Sequence, residues 1–133
     1  TVLFISSHQY PYYPGTGADD ETGSGPGRGF TLNLPLAAGA TDDEYARVYD
    51  ERVMPALDAF KPEALLVSAG YDAHALDPLA GMRMTSDGYA HLVSRLHDAA
   101  GRLCQGRLAL ITEGGYHAGA LRECLDATIG VIS

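Results

Sequence analysis

Cysteine is scarce in this sequence. Cys104 and Cys124 are the only two among 133 residues, and two are too few for a disulfide framework, which favours a reducing compartment. No stretch approaches the roughly 20 consecutive apolar residues of a membrane span, and no charged-then-apolar signal segment opens the sequence. The sequence therefore predicts a cytoplasmic protein with no membrane partner.

Basic residues are also few. Lys and Arg number 9 against 17 Asp and Glu, so the formal net charge is −8, and the basic residues form no cluster. This acidic balance argues against direct binding of nucleic acid. The remaining composition, 46% hydrophobic and 20% charged, is that of one ordinary globular domain. A chain of this length can bury roughly two thirds of its unfolded-state surface, which is enough for a core.

Strand-like and helix-like segments alternate along the chain. Strands are predicted at 2–5, 30–34, 64–68 and 108–111, and the first is expected to be buried on both faces. Helices are predicted after a capping box of Thr41 and Glu44, after Thr85 or Ser86, and over 118–131. Pro55 should kink or split the first of them. The alternation predicts an α/β fold, a parallel sheet with flanking helices.

Residues 7–29 form a long loop rich in Gly, Pro and Tyr, and a loop of that length inside a domain is usually functional. The glycine run at 23–29 precedes a strand, whereas a phosphate-binding loop opens a helix, so a flexible turn is predicted there. Three tyrosines beside two prolines at 10–14 could form a pocket wall or pack on their own sheet edge. Cys124 falls on the apolar face of the last helix and is expected in the core.

Polar groups follow three of the predicted strands. The first is followed by Ser6, Ser7 and His8, the third by residues 70–74, and the fourth by residues 113–117. In a parallel α/β sheet, ligands bind outside the carboxyl ends of the strands. Three such strand exits on one edge of the sheet therefore predict a functional site at that edge.

Each candidate side chain at these exits has two interpretations. Asp72 could offer a carboxylate oxygen to a zinc ion or cap its own turn. Tyr116, after two glycines, could donate a hydrogen bond to a carbonyl and its oxyanion, or simply pack. His74 is better explained as a turn histidine bonded to the backbone. His117 could be a general base, although a histidine at a helix start is the favoured interpretation.

Four stretches in this sequence resemble one family and occur in its order. They are Ser-Ser-His with Tyr-Tyr-Pro-Gly-Thr-Gly at 6–8 and 12–17, Ser-Ala-Gly-Tyr-Asp-Ala-His at 68–74, Asp-Pro-Leu at 77–79, and Glu-Gly-Gly-Tyr at 113–116. Together they resemble the histone deacetylase superfamily of class II type. Within it, the sequence is similar to the bacterial histone deacetylase-like and acetylpolyamine amidohydrolases and to the acetoin-utilization proteins.

The resemblance implies part of an arginase/deacetylase fold with a zinc-dependent site for amide hydrolysis. Asp72 matches a zinc ligand, and Tyr116 matches the tyrosine that polarises the acetyl carbonyl. Tyr13 matches the aromatic wall of an acyl-lysine tunnel, and Leu79 matches its apolar rim. The implied substrate is an acetylated amine: a lysine side chain, a polyamine or a small metabolite.

Four further residues take roles from the same resemblance. Gly114 and Gly115 match the positions that line the tunnel beside the tyrosine. Ser6 and Ser7 match positions that help to hold a structural potassium ion, Ser7 through its backbone carbonyl. The family usually has Leu at the second of these serine positions.

The sequence also suggests that residues 1–133 are the C-terminal portion of a deacetylase catalytic domain whose N-terminal portion is absent. A strand-like run begins at Thr1 with no initiator Met. The family's other two zinc ligands and its paired histidines lie upstream, and no Asp-x-His-His stretch occurs here. One carboxylate cannot form a catalytic zinc site, so the chain alone is expected to be inactive.

Two alternatives remain at this point. One is a non-catalytic module that keeps an acyl-lysine pocket. The other is a metallohydrolase of the ureohydrolase type on the same fold. That class requires a two-manganese cluster with Asp-x-Asp pairs, which the turn at 72–74 does not supply.

Overall fold

The computed structural model describes all residues from Thr1 to Ser133, and it contains four strands and four α-helices. In chain order the elements are β1 (Phe4–Gln9), β2 (Thr31–Leu36), α1 (Asp42–Val48), α2 (Met54–Phe60), β3 (Leu65–Ala69), α3 (Ser86–Cys104), β4 (Leu108–Thr112) and α4 (Ala118–Ile132).

The strands associate as two parallel pairs. β1 pairs with β2, and β3 pairs with β4 in a register that sets Val67 opposite Leu110. Helix α3 is the crossover between β3 and β4, since parallel neighbours cannot be joined by a short hairpin. The predicted parallel α/β fold is therefore confirmed, although the strands form two separate two-stranded sheets and not one.

The strands are less buried than predicted. Val2 lies ahead of β1 and is 79% exposed, and Phe4 is 56% exposed, so the expectation of a first strand buried on both faces is wrong. In the second pair, Leu66 is 78% exposed and Ile111 is 51% exposed. Successive strand residues point to opposite faces. Helices cover one face of the β3–β4 pair and leave the other open.

Strand β1 is also longer at its carboxyl end than predicted. Its ladder with β2 continues until Gln9 lies opposite Leu36. Ser6, Ser7 and His8 therefore lie within the strand, and the prediction that they follow it is wrong. Because the ladder holds their backbone extended, only alternate side chains of this trio can face the same side.

The first helical segment begins and breaks as predicted. The Thr41 N–H donates to Glu44 Oε2 at 2.8 Å, which completes the expected capping box. A π-turn at Tyr49–Val53 separates α1 from α2. Pro55 lies in the first turn of α2, directly after the π-turn, and it lacks the N–H that would donate to the preceding helical turn.

Helices α3 and α4 pack on the β3–β4 pair to form the core. The Thr85 hydroxyl oxygen accepts a hydrogen bond from the Gly88 N–H at 3.1 Å and caps α3. Cys104 and Cys124 are free thiols, 1% and 0% exposed, which confirms the core position predicted for Cys124. Burial raises the pKa of the Cys124 thiol, so it is a packing group and not a nucleophile.

The glycine run at 23–29 contains a short 3-10 turn, Gly25–Gly27, and then leads into β2. The run leads into a strand and not into an α-helix, as the sequence predicts. Among the helices, none combines the length and the apolar content needed to cross a bilayer.

Candidate active site

The exits of β3 and β4 are joined by backbone hydrogen bonds. The Tyr71 N–H donates to the Gly114 carbonyl at 2.8 Å, and the Glu113 N–H donates to the Ala69 carbonyl at 3.1 Å. The parallel register makes this possible, because the two strands end side by side. The end of β1 adds its last residues to the same edge, and a cavity of about 600 Å³ opens there.

Asp72 lies in this cavity, close to the two glycines of the exits. A Cβ added at Gly114 would lie 2.7 Å from Asp72 Oδ2, and one at Gly70 would lie 3.1 Å from Oδ1. The side-chain hydrogen bonds of the two exits all involve other groups. The lack of side chains at Gly70 and Gly114 thus leaves room for the half-buried carboxylate, which lines the cavity and makes no hydrogen bond to another side chain or to the backbone.

Tyr116 lines the same cavity and reaches it through a glycine turn. Gly115 has a φ of +134°, and an added Cβ would lie 3.0 Å from Leu121 Cδ1, so a larger residue would force the turn apart. The Tyr116 ring is 60% exposed. The residue's one hydrogen bond runs from its backbone N–H to Asp77 Oδ2 at 2.8 Å, which leaves the hydroxyl free.

The rim of the cavity is apolar and exposed. Tyr13 and Leu79 both line it and are 90% and 58% exposed. Tyr12 lines it as well, and its hydroxyl donates to the Leu79 carbonyl at 2.5 Å across 67 residues of sequence. The aromatic loop at 10–14 therefore forms a wall of the cavity, the first of the two alternatives considered for it.

Tyr12 was not among the predicted site residues. The family resemblance assigns the aromatic wall to its neighbour Tyr13. Nothing in the sequence indicates that Tyr12 contacts the backbone carbonyl of Leu79, 67 residues further along the chain. Of the predicted set, Asp72, Tyr116, Tyr13, Leu79, Gly114 and Ser7 line the cavity. Gly115 faces Tyr71 and Leu121 beside it.

The histidines near the cavity already have partners. His74 Nδ1 accepts a hydrogen bond from the Leu76 N–H at 3.1 Å, and His117 Nδ1 accepts one from the Ala120 N–H at 3.1 Å and caps α4. Both match the structural interpretation favoured from the sequence. His8 lies within 2.9 Å of the Ser6 hydroxyl on one side and the Gly17 carbonyl on the other.

The two serines assigned to a potassium ion differ in their surroundings. Ser6 uses its hydroxyl in the contact with His8. Ser7 lines the cavity and lies opposite Leu34 in the strand ladder. The potassium role of both residues stays a prediction.

Buried phenols form the floor of the site. Burial, followed by the neighbouring Tyr49 and Asp72, raises the pKa of Tyr45. Burial, followed by Tyr45, raises the pKa of Tyr89, whose hydroxyl also accepts a hydrogen bond from the Ala73 N–H at 3.0 Å. The phenols of Tyr45 and Tyr89 therefore stay protonated at neutral pH.

A zinc ion does not fit the donors of this chain alone. No group of three or more His, Cys, Asp or Glu side chains comes together in a way that could hold a metal. A catalytic zinc needs three protein ligands and an open position, and Asp72 supplies one. The same result removes the basis for a two-manganese cluster of the ureohydrolase type within these residues.

Solved structures with the same fold define the class of protein. The HD domain of HDA15 superposes with a TM-score of 0.91 at 38% identity, covering 98% of this chain and 37% of that one. The histone deacetylase Clr3 superposes with a TM-score of 0.91 at 34% identity, covering 98% of this chain and 22% of that one. The fold is that of the deacetylases.

A family model described as the histone deacetylase domain matches residues 1–132. The chain therefore belongs to the histone deacetylase family.

Curated relatives carry matching names. Rice (Oryza sativa subsp. japonica) histone deacetylase 10, chloroplastic, is 48% identical over 127 residues, 96% of this chain and 29% of that protein. A probable deacetylase of Archaeoglobus fulgidus is 46% identical over 86% of this chain and 32% of its own length. The histone deacetylase-like amidohydrolase of Pseudomonas aeruginosa is 40% identical over 99% of this chain and 35% of its own length. The chain spans about a third of the length of these relatives.

Proposed function

We propose that this chain is part of a zinc-dependent amidohydrolase that removes acetyl groups from amines, either lysine side chains or polyamine-like compounds. The proposal rests on one observation: the Asp72 carboxylate, the free Tyr116 hydroxyl and the apolar rim all line the same cavity. The names of the Pseudomonas and Archaeoglobus relatives, an amidohydrolase and a probable deacetylase, support it. The cytoplasm stays the predicted location.

The rim would bind the alkyl part of the substrate. Tyr13 and Leu79 present apolar surface to solvent, and such surface gains free energy when a methylene chain covers it. The cavity volume of about 600 Å³ lies within the usual range of small-molecule sites, about 300–1,000 Å³. Tyr12 would fix the distance between the two walls through its bond to the Leu79 carbonyl.

Tyr116 would act on the acyl oxygen. Its hydroxyl is free to donate, and its half-exposed ring lies on the same cavity as Asp72. A donor positioned for the oxyanion stabilises the transition state more than the resting amide, because negative charge develops on that oxygen only as the reaction proceeds.

Asp72 would be one ligand of the zinc ion, which when bound polarises a carbonyl and acidifies a water molecule. The other two ligands and the general base would come from a part of the protein outside residues 1–133. The exposed apolar face of the β3–β4 pair supports a longer protein, since Leu66 and Ile111 lie open to solvent there. Ser6 and Ser7 would contact a structural potassium ion.

The direct test is an assay of the complete protein with an acetyl-lysine peptide and an N-acetylated polyamine. We expect release of acetate, loss of activity on treatment with a chelator, and recovery on addition of zinc. An intact, zinc-loaded protein that releases acetate from neither substrate would refute the proposed function.

Residues 1–133 alone are expected to show no deacetylase activity, with or without added zinc, because one ligand cannot hold a catalytic zinc. The measurement is turnover of an acetyl-lysine reporter by the purified segment. The account would be contradicted by turnover that Asp72→Ala abolishes, because the segment would then hold a working site.

A small change at Gly114 should disturb the site through Asp72. In Gly114→Ala the new Cβ would lie 2.7 Å from Oδ2, so the carboxylate must move. We expect the complete protein to lose activity by about tenfold or more and to bind zinc more weakly, since a catalytic group that shifts by about 1 Å can cost two orders of magnitude in rate. Steady-state kinetics and metal analysis would measure both.

Gly130→Ala is the matched control. Gly130 lies in α4, and nothing lies within 4 Å of an added Cβ there. It should keep full activity and gain slightly in stability, because Ala favours a helix over Gly by about 1 kcal/mol. Equal activity of the two alanine variants would show that the position of the Asp72 carboxylate does not depend on the absence of a side chain at residue 114.

A non-catalytic acyl-lysine module is the second candidate. Its support is the exposed apolar rim of Tyr13 and Leu79, which would bind an acyl-lysine side chain without any reaction. The same assay separates the two, because a binding module would retain the acetylated peptide without releasing acetate.

A further inference from the structure

Asp77 is a buried carboxylate that the proposed reaction does not use. It is 8% exposed, and no Lys, Arg or His side chain pairs with it. Its Oδ1 accepts hydrogen bonds from the Leu79 N–H at 2.9 Å and the Ala80 N–H at 3.4 Å. Its Oδ2 accepts one from the Tyr116 N–H at 2.8 Å. Burial of a polar group is costly unless it is hydrogen-bonded, and here three backbone N–H groups supply the hydrogen bonds.

The three hydrogen bonds join two walls of the cavity. Leu79 belongs to the apolar rim, Tyr116 lies 39 residues beyond Asp77, and both face the cavity with exposed side chains. The glycine turn before Tyr116 gives its backbone little restraint of its own. The bond to Asp77 is the one hydrogen bond that Tyr116 makes.

We propose that Asp77 is a positioning residue, which sets the location of Tyr116 against the Leu79 rim by accepting hydrogen bonds from both backbones. Its catalytic consequence rests on the proposed function, since it assigns Tyr116 the role of oxyanion donor. Asp77 itself does not line the cavity. It acts by holding the tyrosine backbone where the hydroxyl meets the acyl oxygen.

The chemistry of the carboxylate makes a sharp test. An ionised Asp offers two acceptor oxygens, whereas Asn offers one acceptor and one N–H₂ donor of nearly the same shape. In Asp77→Asn the amide oxygen can still accept from Leu79 and Ala80. The amide nitrogen would then face the Tyr116 N–H. Because both groups are donors, the hydrogen bond to the Tyr116 backbone is lost.

The first measurement is a double-mutant cycle on the complete protein, with Asp77→Asn, Tyr116→Phe and the pair. We expect Asp77→Asn to lower kcat by about tenfold or more, with KM within about threefold. Once the hydroxyl has been removed, adding Asp77→Asn should change kcat by less than about threefold, because the two changes act on one group. If the double variant instead lowered kcat by the product of the two single effects, the proposal would be overturned.

The second measurement needs no activity. In protein labelled with ¹⁵N-tyrosine, the Tyr116 amide is assigned by its disappearance in Tyr116→Phe. We expect its hydrogen exchange to become about tenfold faster or more in Asp77→Asn, while the amides of buried Tyr45 and Tyr89 keep their protection. Unchanged exchange at Tyr116 would overturn the proposal, whether or not the protein is a deacetylase.

Two controls keep these results interpretable. Asp98→Asn removes a charge from the exposed surface of α3 and should change neither kinetics nor exchange at Tyr116. If Asp77→Asn does not fold, Asp77→Glu takes its place in both measurements with the same expected changes, since the added methylene moves the acceptor oxygens away from the Tyr116 N–H. If wild-type protein shows no turnover or Tyr116→Phe has no effect, the proposed function has failed, and the exchange measurement still decides the role of Asp77.

Discussion

Tyr116→Phe in the complete enzyme is expected to lower kcat by about 10²–10³ and to leave KM within about threefold of the wild-type value. The substitution removes only the hydroxyl, which has no partner within the chain. An interaction made mainly in the transition state appears in kcat and not in KM. Steady-state kinetics with an acetyl-lysine peptide measures both constants.

Tyr10→Phe is the matched control for this prediction. Tyr10 begins the aromatic loop at 10–14 and does not line the cavity, so its variant should retain wild-type kinetics. Zinc content should be unchanged in both variants, because neither hydroxyl binds the metal. If Tyr116→Phe kept kcat within about threefold of wild type, the residue would be a packing group.

Asp72→Ala is expected to lose both bound zinc and activity. A carboxylate that lies open to the cavity cannot be replaced by a methyl group as a metal ligand, and a zinc site reduced to two protein ligands binds weakly. We expect zinc content well below one per protein after dialysis and activity at background. Metal analysis and acetate release on the same preparation would measure the two effects.

Asp98→Ala serves as the control for charge and for handling, since Asp98 is exposed on α3 and lies outside the cavity. It should keep its zinc and its activity. An Asp72→Ala protein that retained a full equivalent of zinc would contradict the assignment of Asp72 as a ligand, even if its activity were lost.

Much of the fold could be predicted because its signals are local. The capping box at Thr41 and Glu44, the helix break beside Pro55 and the cap at Thr85 each depend on residues a few positions apart. Strand burial could not be predicted, because exposure of Leu66 depends on which face the helices cover. β3 is an almost continuous apolar run, Leu-Leu-Val-Ser-Ala, and such a run shows no alternation that would reveal the choice.

The candidate site could be predicted in part. Asp72 and Tyr116 each follow a strand, and parallel strands place their exits on one edge, so their meeting follows from the order of elements. The hydrogen bond from Tyr12 to Leu79 and the one from Tyr116 to Asp77 span 67 and 39 residues. Contacts of this kind depend on loop conformation, which no periodicity or spacing of residues in the sequence predicts.

The most direct test of the account is a crystal structure of the complete Tyr116→Phe protein with an acetyl-lysine peptide, with anomalous data at the zinc edge. The account predicts a zinc peak about 2.0–2.2 Å from an Asp72 carboxylate oxygen. It also predicts the acetyl group in the cavity, with the lysine methylenes between Tyr13 and Leu79 and the acyl oxygen facing position 116. A zinc peak away from Asp72, or a peptide bound outside this cavity, would contradict it.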